Sequence, residues 1–454
     1  MAEYLAPGTE DLARLAAQLV AAAQPGEELE VVLGRSTSTT VKVYDGQVES
    51  LTSAGSNGAG IRVLRDGRQG FAHCGSLDPE VLRETLAEAR DNVAFGEADE
   101  WNGVAEPDGV APVVQDGWSD AVLALPAEEK VRLALDLEAR VRSIDPRVSN
   151  ARSTAYGDGW GETVIASTRG TLVGDRGASC SVSTQPLARE GDETQTGWAY
   201  DAVMDPAELD LDRVAAEAVE RAVRLLGATK PGSMRTTILL EPRLALSLVG
   251  IVAGMLSAES VIKGRSPFAE RVGEQVASPL LTLVDDPTRS ESLAAETWDG
   301  EGLACRPNPL LVDGVLQGFL HNSYTARRTG TRSTGSAVRG VRSLPGAGPQ
   351  LLVMSPGTRS FDELVASVDD GLLVTSFAGL HSGVNPVSGD FSVGADGLRI
   401  RNGALAEPLR EMTVASTLQR LLLDVREVGG DFEWVNRGSG GCSLLIDDVA
   451  VSGS

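Results

Sequence analysis

Apolar and polar positions alternate along this chain with two different periods, and the changes between them outline its elements. Residues 10–23, EDLARLAAQLVAAA, carry the helical period and predict an amphipathic helix with Thr9 as N-cap. Strand-like runs follow at 29–33 and 38–44, and Asp45-Gly46 predicts a hairpin turn into VESLTS. Asp66-Gly67 repeats the device between 61–64 and 69–72. A helix is predicted over 79–95 behind Asp78-Pro79, and the Pro/Gly/Asp-rich stretch 98–115 reads as a surface connection. Over 125–144 the residues Leu133, Leu137 and Val141 recur at i, i+4, i+8, the buried stripe of another helix. Runs near 148–156, 162–167, 180–186 and 194–202 have the alternation of antiparallel strands, and 212–226 returns to the helical period with Gly227 at its end.

The segment 227–233, GATKPGS, predicts a domain boundary, dividing an N-terminal α+β domain (1–227) from a β-rich C-terminal domain (234–454). The fold class is therefore α+β, built around a buried central helix at 244–262, LALSLVGIVAGMLSAESVI. Pro242 suits its first turn, and Lys263-Gly264 suits its end. Leu244, Leu248, Ile251, Val252, Met255 and Leu256 cover most of its circumference. Gly250, Ala253 and Gly254 keep one side small, which predicts a close neighbour there and an overpacking penalty for Gly254→Leu. The apolar run is too short and interrupted to span a bilayer. Beyond Gly264 the pattern is nearly all β, with Asp-Gly, Asn-Gly and Pro-Gly turns and short helices predicted at 361–368 and 413–423.

Charge and composition exclude several classes. A net charge of -24 argues against nucleic acid and anionic membranes as partners, since both need basic surface. Four dispersed cysteines (Cys74, Cys180, Cys305, Cys442) with no CxxC argue against a disulfide framework or zinc knuckle. With no basic-then-apolar leader at the N-terminus, a cytoplasmic location is expected. The three histidines (His73, His321, His381) have no second His or adjacent Glu at metal-binding spacing, and the central helix has none at all. Two long polar stretches read as loops. In 381–403 the exposed glycines would admit an extended peptide by strand addition, with His381, Asn385, Asp390 and Ser392 fixing its register. In 318–340, Tyr324 and Arg327 could hold an aromatic side chain or a carboxylate.

Several blocks stand in order along the chain: GIRVLRDGRQGFA (60–72), KGRSPFAERVGEQVASPLLTLVDDP (263–287), DGEG (299–302), DGVLQGFLHNSYTARRTG (313–330), STG (333–335), GVNPVSGDFSVGADGLRIRNG (383–403) and SLLIDDVAVSG (443–453). Through them the chain resembles the TldD/PmbA family, in its TldE (PmbA) branch. The resemblance implies an N-terminal α+β domain and a β-rich C-terminal domain, paired as a dimer around an internal chamber. In the TldD branch the central helix bears an H-E-x-x-x-H zinc motif completed by a C-terminal cysteine. Here that helix reads VGIVAGMLSAES, and Cys442 lies too near the last strand to match securely. The expectation is a metal-free subunit with no catalytic or metal-binding residues, pairing with a TldD-like zinc metallopeptidase on peptide substrates, or with itself as a homodimer. Two alternatives stand beside it: a stand-alone tailoring hydrolase or cyclase of natural-product biosynthesis, and a non-enzymatic peptide-binding protein.

Overall fold

The computed structural model describes residues 2–453. In the first half, β1 (Ala2–Leu5), β2 (Glu28–Tyr44), β3 (Gln47–Arg65), β4 (Arg68–Cys74), β5 (Val148–Ser167), β6 (Thr171–Glu190), β7 (Glu193–Thr196) and β8 (Ala199–Val203) build one eight-stranded sheet. Its order is β1-β6-β5-β2-β3-β4, with β7 and β8 both pairing with β6. Both Asp-Gly pairs make the predicted turns: Asp45 and Gly46 take φ of 52° and 73°, Asp66 and Gly67 51° and 73°, as two-residue hairpins require. Five helices accompany the sheet: α1 (Glu10–Ala21), α2 (Pro79–Val93), α3 (Asp120–Ala124), α4 (Ala127–Ile144) and α5 (Leu211–Val223). Glu138 of α4 is buried and accepts hydrogen bonds from the N–H groups of Asp45 (2.9 Å) and Gly46 (2.7 Å), so the helix holds the hairpin turn.

Local readings differ from this in instructive ways. The runs 29–33 and 38–44 are one strand, as are 148–156 and 162–167, because neighbours on both sides pair the polar residues between them. Side-chain polarity signalled a break that the hydrogen-bond ladder does not make. The helix predicted from residue 125 starts at Ala127, with Pro126 separating it from α3. Thr9 stands at the N-cap of α1, but its hydroxyl donates to the Ala6 carbonyl (2.7 Å) instead of capping.

In the second half, β9 (Met234–Leu240) lies between Asp370–Ala378 and Leu444–Ser452. Asp390–Arg401 and Ala404–Thr417 continue the sheet, and Ala404–Thr417 also pairs with Leu444–Ser452, closing it into a barrel. The helix expected at 413–423 is helical only over Leu418–Leu423, since 413–417 pair with Asp390–Arg401, and 413–415 also with Leu444–Ser452. The central helix is two helices, α6 (Pro242–Met255) and α7 (Ala258–Ile262). Between them the chain leaves the helical pattern to pair with Leu320: its N–H donates to the Leu256 carbonyl and its carbonyl accepts from Ala258 N–H, both at 2.9 Å. One apolar cluster takes in α6 and strands of the barrel, including Leu240, Val374, Val393, Val414 and Leu444. No helix among the described residues is long and apolar enough to cross a membrane.

A charged network joins the two halves. Glu30, on β2, is fully buried and accepts from Arg62 (3.0 Å) and from Arg339, which are 4% and 2% exposed. Burial works to raise the Glu30 carboxyl, and the two guanidinium groups more than offset it, holding it below its usual range. Beside them the DGEG turn buries Asp299 and Glu301. Asp299 accepts from the N–H groups of Glu301, Leu303 and Ala337, and Glu301 from the N–H and hydroxyl of Ser323. Burial raises both carboxyls.

Candidate functional site

Of the three small residues expected on one side of α6, Gly250 and Gly254 lie on its open face, while Ala253 is buried. Gly254 is exposed, Gly250 and Ile251 are half-buried, and a Cβ added at either glycine would meet nothing within 4 Å. The expected close neighbour approaches a different side: at Gly441 a Cβ would lie 2.5 Å from Cγ of Leu246. The overpacking expectation for Gly254→Leu is therefore corrected; the position has room for a side chain. At the N-terminal end of the open face, Arg243 lies 5.9 Å from the Trp198 ring, and Ser247 donates back to the Arg243 carbonyl (3.0 Å). At the other end Gly254 lines a pocket of about 180 Å³, with Ser257, Glu259, Ser260, Lys263, Arg265, Ala347, Gly348 and Pro349.

The open face carries Arg243, Ser247, Gly250, Ile251 and Gly254, none of them a zinc ligand, and at its C-terminal end Glu259 is ion-paired to Lys263. Among the described residues no group of three or more His, Cys, Asp or Glu is placed to hold a metal ion. The residues of α6 do not fit zinc. Cys442 is fully buried, and burial pushes its thiol up to about 12, so it is no nucleophile at neutral pH. His321 is buried with Nδ1 unpartnered, and burial lowers its basicity. His73 is exposed on β4 and stacks on Phe71.

The sequence-derived site residues fall into two separate groups. His381, Asn385, Asp390 and Ser392 come together on one exposed turn and the strand behind it. There Asn385 N–H donates to the Asp390 carbonyl (2.9 Å), Asn385 Oδ1 accepts from Val387 N–H (2.9 Å), and Ser388 donates to the Asp390 carboxylate (2.7 Å). The stretch is not the loop expected. Residues 390–401 form a strand paired with Ala404–Thr417 and, from Gly394 onward, with Asp370–Ala378, while Val384 bridges Phe391. Strand addition along it is therefore blocked, since its backbone groups are taken.

Tyr324 and Arg327 lie on a helix, Ser323–Thr329, within the second supposed loop. Their polar groups point to the N-terminal half: Tyr324 donates to Asp99 (2.9 Å), and Arg327 to the carbonyls of Trp101 (2.8 Å) and Gly103 (2.9 Å). These are joints between the halves of the molecule, and the reading of them as substrate contacts is corrected accordingly. Nothing in the sequence marks the pocket residues Lys263 and Arg265 as a site, although both sit in the KGRSPF block that carries the family resemblance. Their spacing has no motif; the pocket exists because α7 turns back against 347–349.

Family models describe three consecutive parts of the chain: PmbA/TldA metallopeptidase domain 1 over 29–93, the central domain over 120–226 and the C-terminal domain over 233–453. The chain is similar to the metalloprotease PmbA of Escherichia coli O157:H7, with 27% identity over 430 residues, covering 93% of this chain and 92% of the relative. A crystal structure from Thermotoga maritima superposes with a TM-score of 0.88 at 27% identity, over 97% of this chain and 100% of that one. TldE from Thermococcus kodakarensis shares the fold, with a TM-score of 0.86 at 24% identity, over 98% and 100% of the two chains. Three matched models in succession, one relative aligned nearly end to end and the same architecture in solved structures lead to one assignment: the chain belongs to the PmbA/TldD family.

Proposed function

We propose that this chain is the metal-free, TldE-like subunit of a two-subunit cytoplasmic peptidase. It pairs with a TldD-like zinc metallopeptidase and completes a chamber in which peptides are degraded or matured. The observation that carries the reading is the open face of α6. It leaves free space at Gly250 and Gly254, yet offers glycine and serine where a metallopeptidase needs His, Glu or Cys. The metal and the nucleophilic water it would supply belong to the partner; this chain contributes wall, floor and binding groups. The name metalloprotease borne by the PmbA relative agrees with a role in peptide cleavage.

The pairing surface should be large and partly apolar, burying on the order of 2,000 Å² or more, as obligate interfaces do. Without the partner a homodimer is expected. Co-expression with a TldD-like chain from the same source, followed by metal analysis and a peptidase assay, tests the reading. The complex should copurify, hold about one zinc per heterodimer and cleave peptides, while this chain alone should hold none and cleave nothing. Stoichiometric zinc or peptide turnover in the purified chain alone would overturn it. Turnover without zinc would indicate a stand-alone tailoring enzyme.

A further inference from the structure

We propose that the pocket at the C-terminal end of α6 binds the free carboxylate at the end of a peptide. This rests on the reading of the chain as one wall of a peptide chamber.

The pocket is built where the helical chain breaks. Ser257 Oγ donates to the Ala347 carbonyl (2.7 Å) and Ser260 Oγ to the Gly254 carbonyl (3.1 Å), so both hydroxyls hold the wall together and neither is free for a ligand. The donors left are cationic. Lys263 is ion-paired with Glu259 one helical turn away. Arg265 reaches the Ser260 carbonyl with its backbone N–H (2.8 Å). Its guanidinium has no carboxylate within ion-pairing distance among the described residues, where most of the chain's arginines are paired. Two cations and one carboxylate leave the pocket positive by one charge, on a chain whose net charge is -24.

That balance selects the ligand. A monoanion neutralises the pocket, whereas a dianion such as phosphate brings an excess negative charge beside Glu259. A carboxylate matches the planar fork of a guanidinium with two parallel hydrogen bonds. The size favours a chain end: about 180 Å³ holds a terminal residue with its carboxylate and little more. The access route is the open helix face, because Gly254 ends that face and lines the pocket. A peptide laid along Gly250 and Gly254 would approach bare backbone and finish at Arg265.

The experiment measures fluorescence anisotropy of the purified full-length chain with three N-terminally labelled alanine pentapeptides. One has a free C-terminus, one is amidated, and one is amidated with glutamate as its last residue. Loss of a charge-assisted bidentate contact should weaken the amide on the order of tenfold or more. Arg265→Ala should abolish the difference between acid and amide, and so should Gly254→Leu, which fills the pocket without lowering the melting temperature. Equal binding of acid and amide, or a preference that survives Arg265→Ala, overturns the proposal. Equal binding by the glutamate amide replaces the chain end with any carboxylate and also overturns it, as does failure of all three peptides to bind. None of these outcomes decides the partner-subunit reading, which stands or falls on the co-expression assay.

Discussion

Arg327 shows how a residue type suggests one role and its surroundings give it another. An arginine in a glycine-rich polar stretch invites a substrate carboxylate. In the fold its guanidinium is half-buried and donates to two backbone carbonyls of the 98–115 connection. Arg327→Ala should therefore lower stability by about 1.5–3 kcal/mol, the scale of hydrogen bonds from a charged donor, as a shifted urea midpoint. An unchanged midpoint would return Arg327 to the list of free binding groups. Asp285 makes the same point for pH. It is fully buried, accepts from the N–H groups of Gln350 and Leu351 (both 2.8 Å), and its Oδ2 has no partner. Burial pushes its carboxyl up from 3.8 to about 6, against the pull of the two N–H bonds. The folded state then holds the proton more tightly than the unfolded one. This contribution to stability is complete below pH 3.8 and is lost as pH rises through about 6. Asp285→Asn, which cannot ionise, should flatten the urea midpoint against pH across that window; an unaltered slope would show that Asp285 does not titrate there.

At the scale of elements, the central helix is the instructive case. Apolar periodicity located it and Pro242 marked its start, and α6 begins there with Pro242 in its first turn. Nothing in the periodicity reveals the break at Leu256-Ser257, because the cause is a segment more than sixty residues away: Leu320, which pairs with Leu256 and Ala258. Ser257 serves the break twice. Its Oγ accepts from Glu259 N–H to cap α7 and donates to the buried Ala347 carbonyl. Ser257→Ala removes a cap and leaves that carbonyl unpaired, which should cost roughly 1–3 kcal/mol in thermal or urea denaturation. Wild-type stability in the variant would mean that the Leu320 pairing alone maintains the break. The hairpins show the opposite balance, since Asp45-Gly46 and Asp66-Gly67 contain their own turn geometry and needed no distant help.

At the scale of the molecule, the two halves are locked by charges that come from four stretches of sequence. Glu30 and Arg62 stand on neighbouring strands, Arg339 comes from the far half, and the DGEG turn adds Asp299 and Glu301. Removing one member of such a buried set leaves the others uncompensated, at about 3–5 kcal/mol. Glu30→Gln should show that loss in urea and quicken proteolytic cutting near 227–233 as the halves loosen. If stability and proteolysis both stay at wild-type levels, the network does not hold the halves together. A separate contact sets the open face of α6 beside the N-terminal half, where Trp198 meets Arg243.

Locally encoded features were legible from residues alone: the two Asp-Gly hairpins, the amphipathic stripe of α4, the start of α2 behind Asp78-Pro79 and the short helix at Phe361–Ala366. The family was legible too, in ordered blocks, and with it the α+β architecture. Each of these depends on contacts a few residues apart, or on patterns that recur in every copy of the fold. Pairing partners, burial and free space are set by residues hundreds of positions apart, and only the tertiary structure decided them. It merged polar stretches into long strands, turned two expected loops into a helix and a doubly paired strand, and directed Tyr324 and Arg327 to an internal joint. It also left the glycines of α6 facing open space, where sequence had promised a tight contact. A glycine reads the same whether it admits a neighbour or leaves a gap; what stands opposite it is a property of the folded chain.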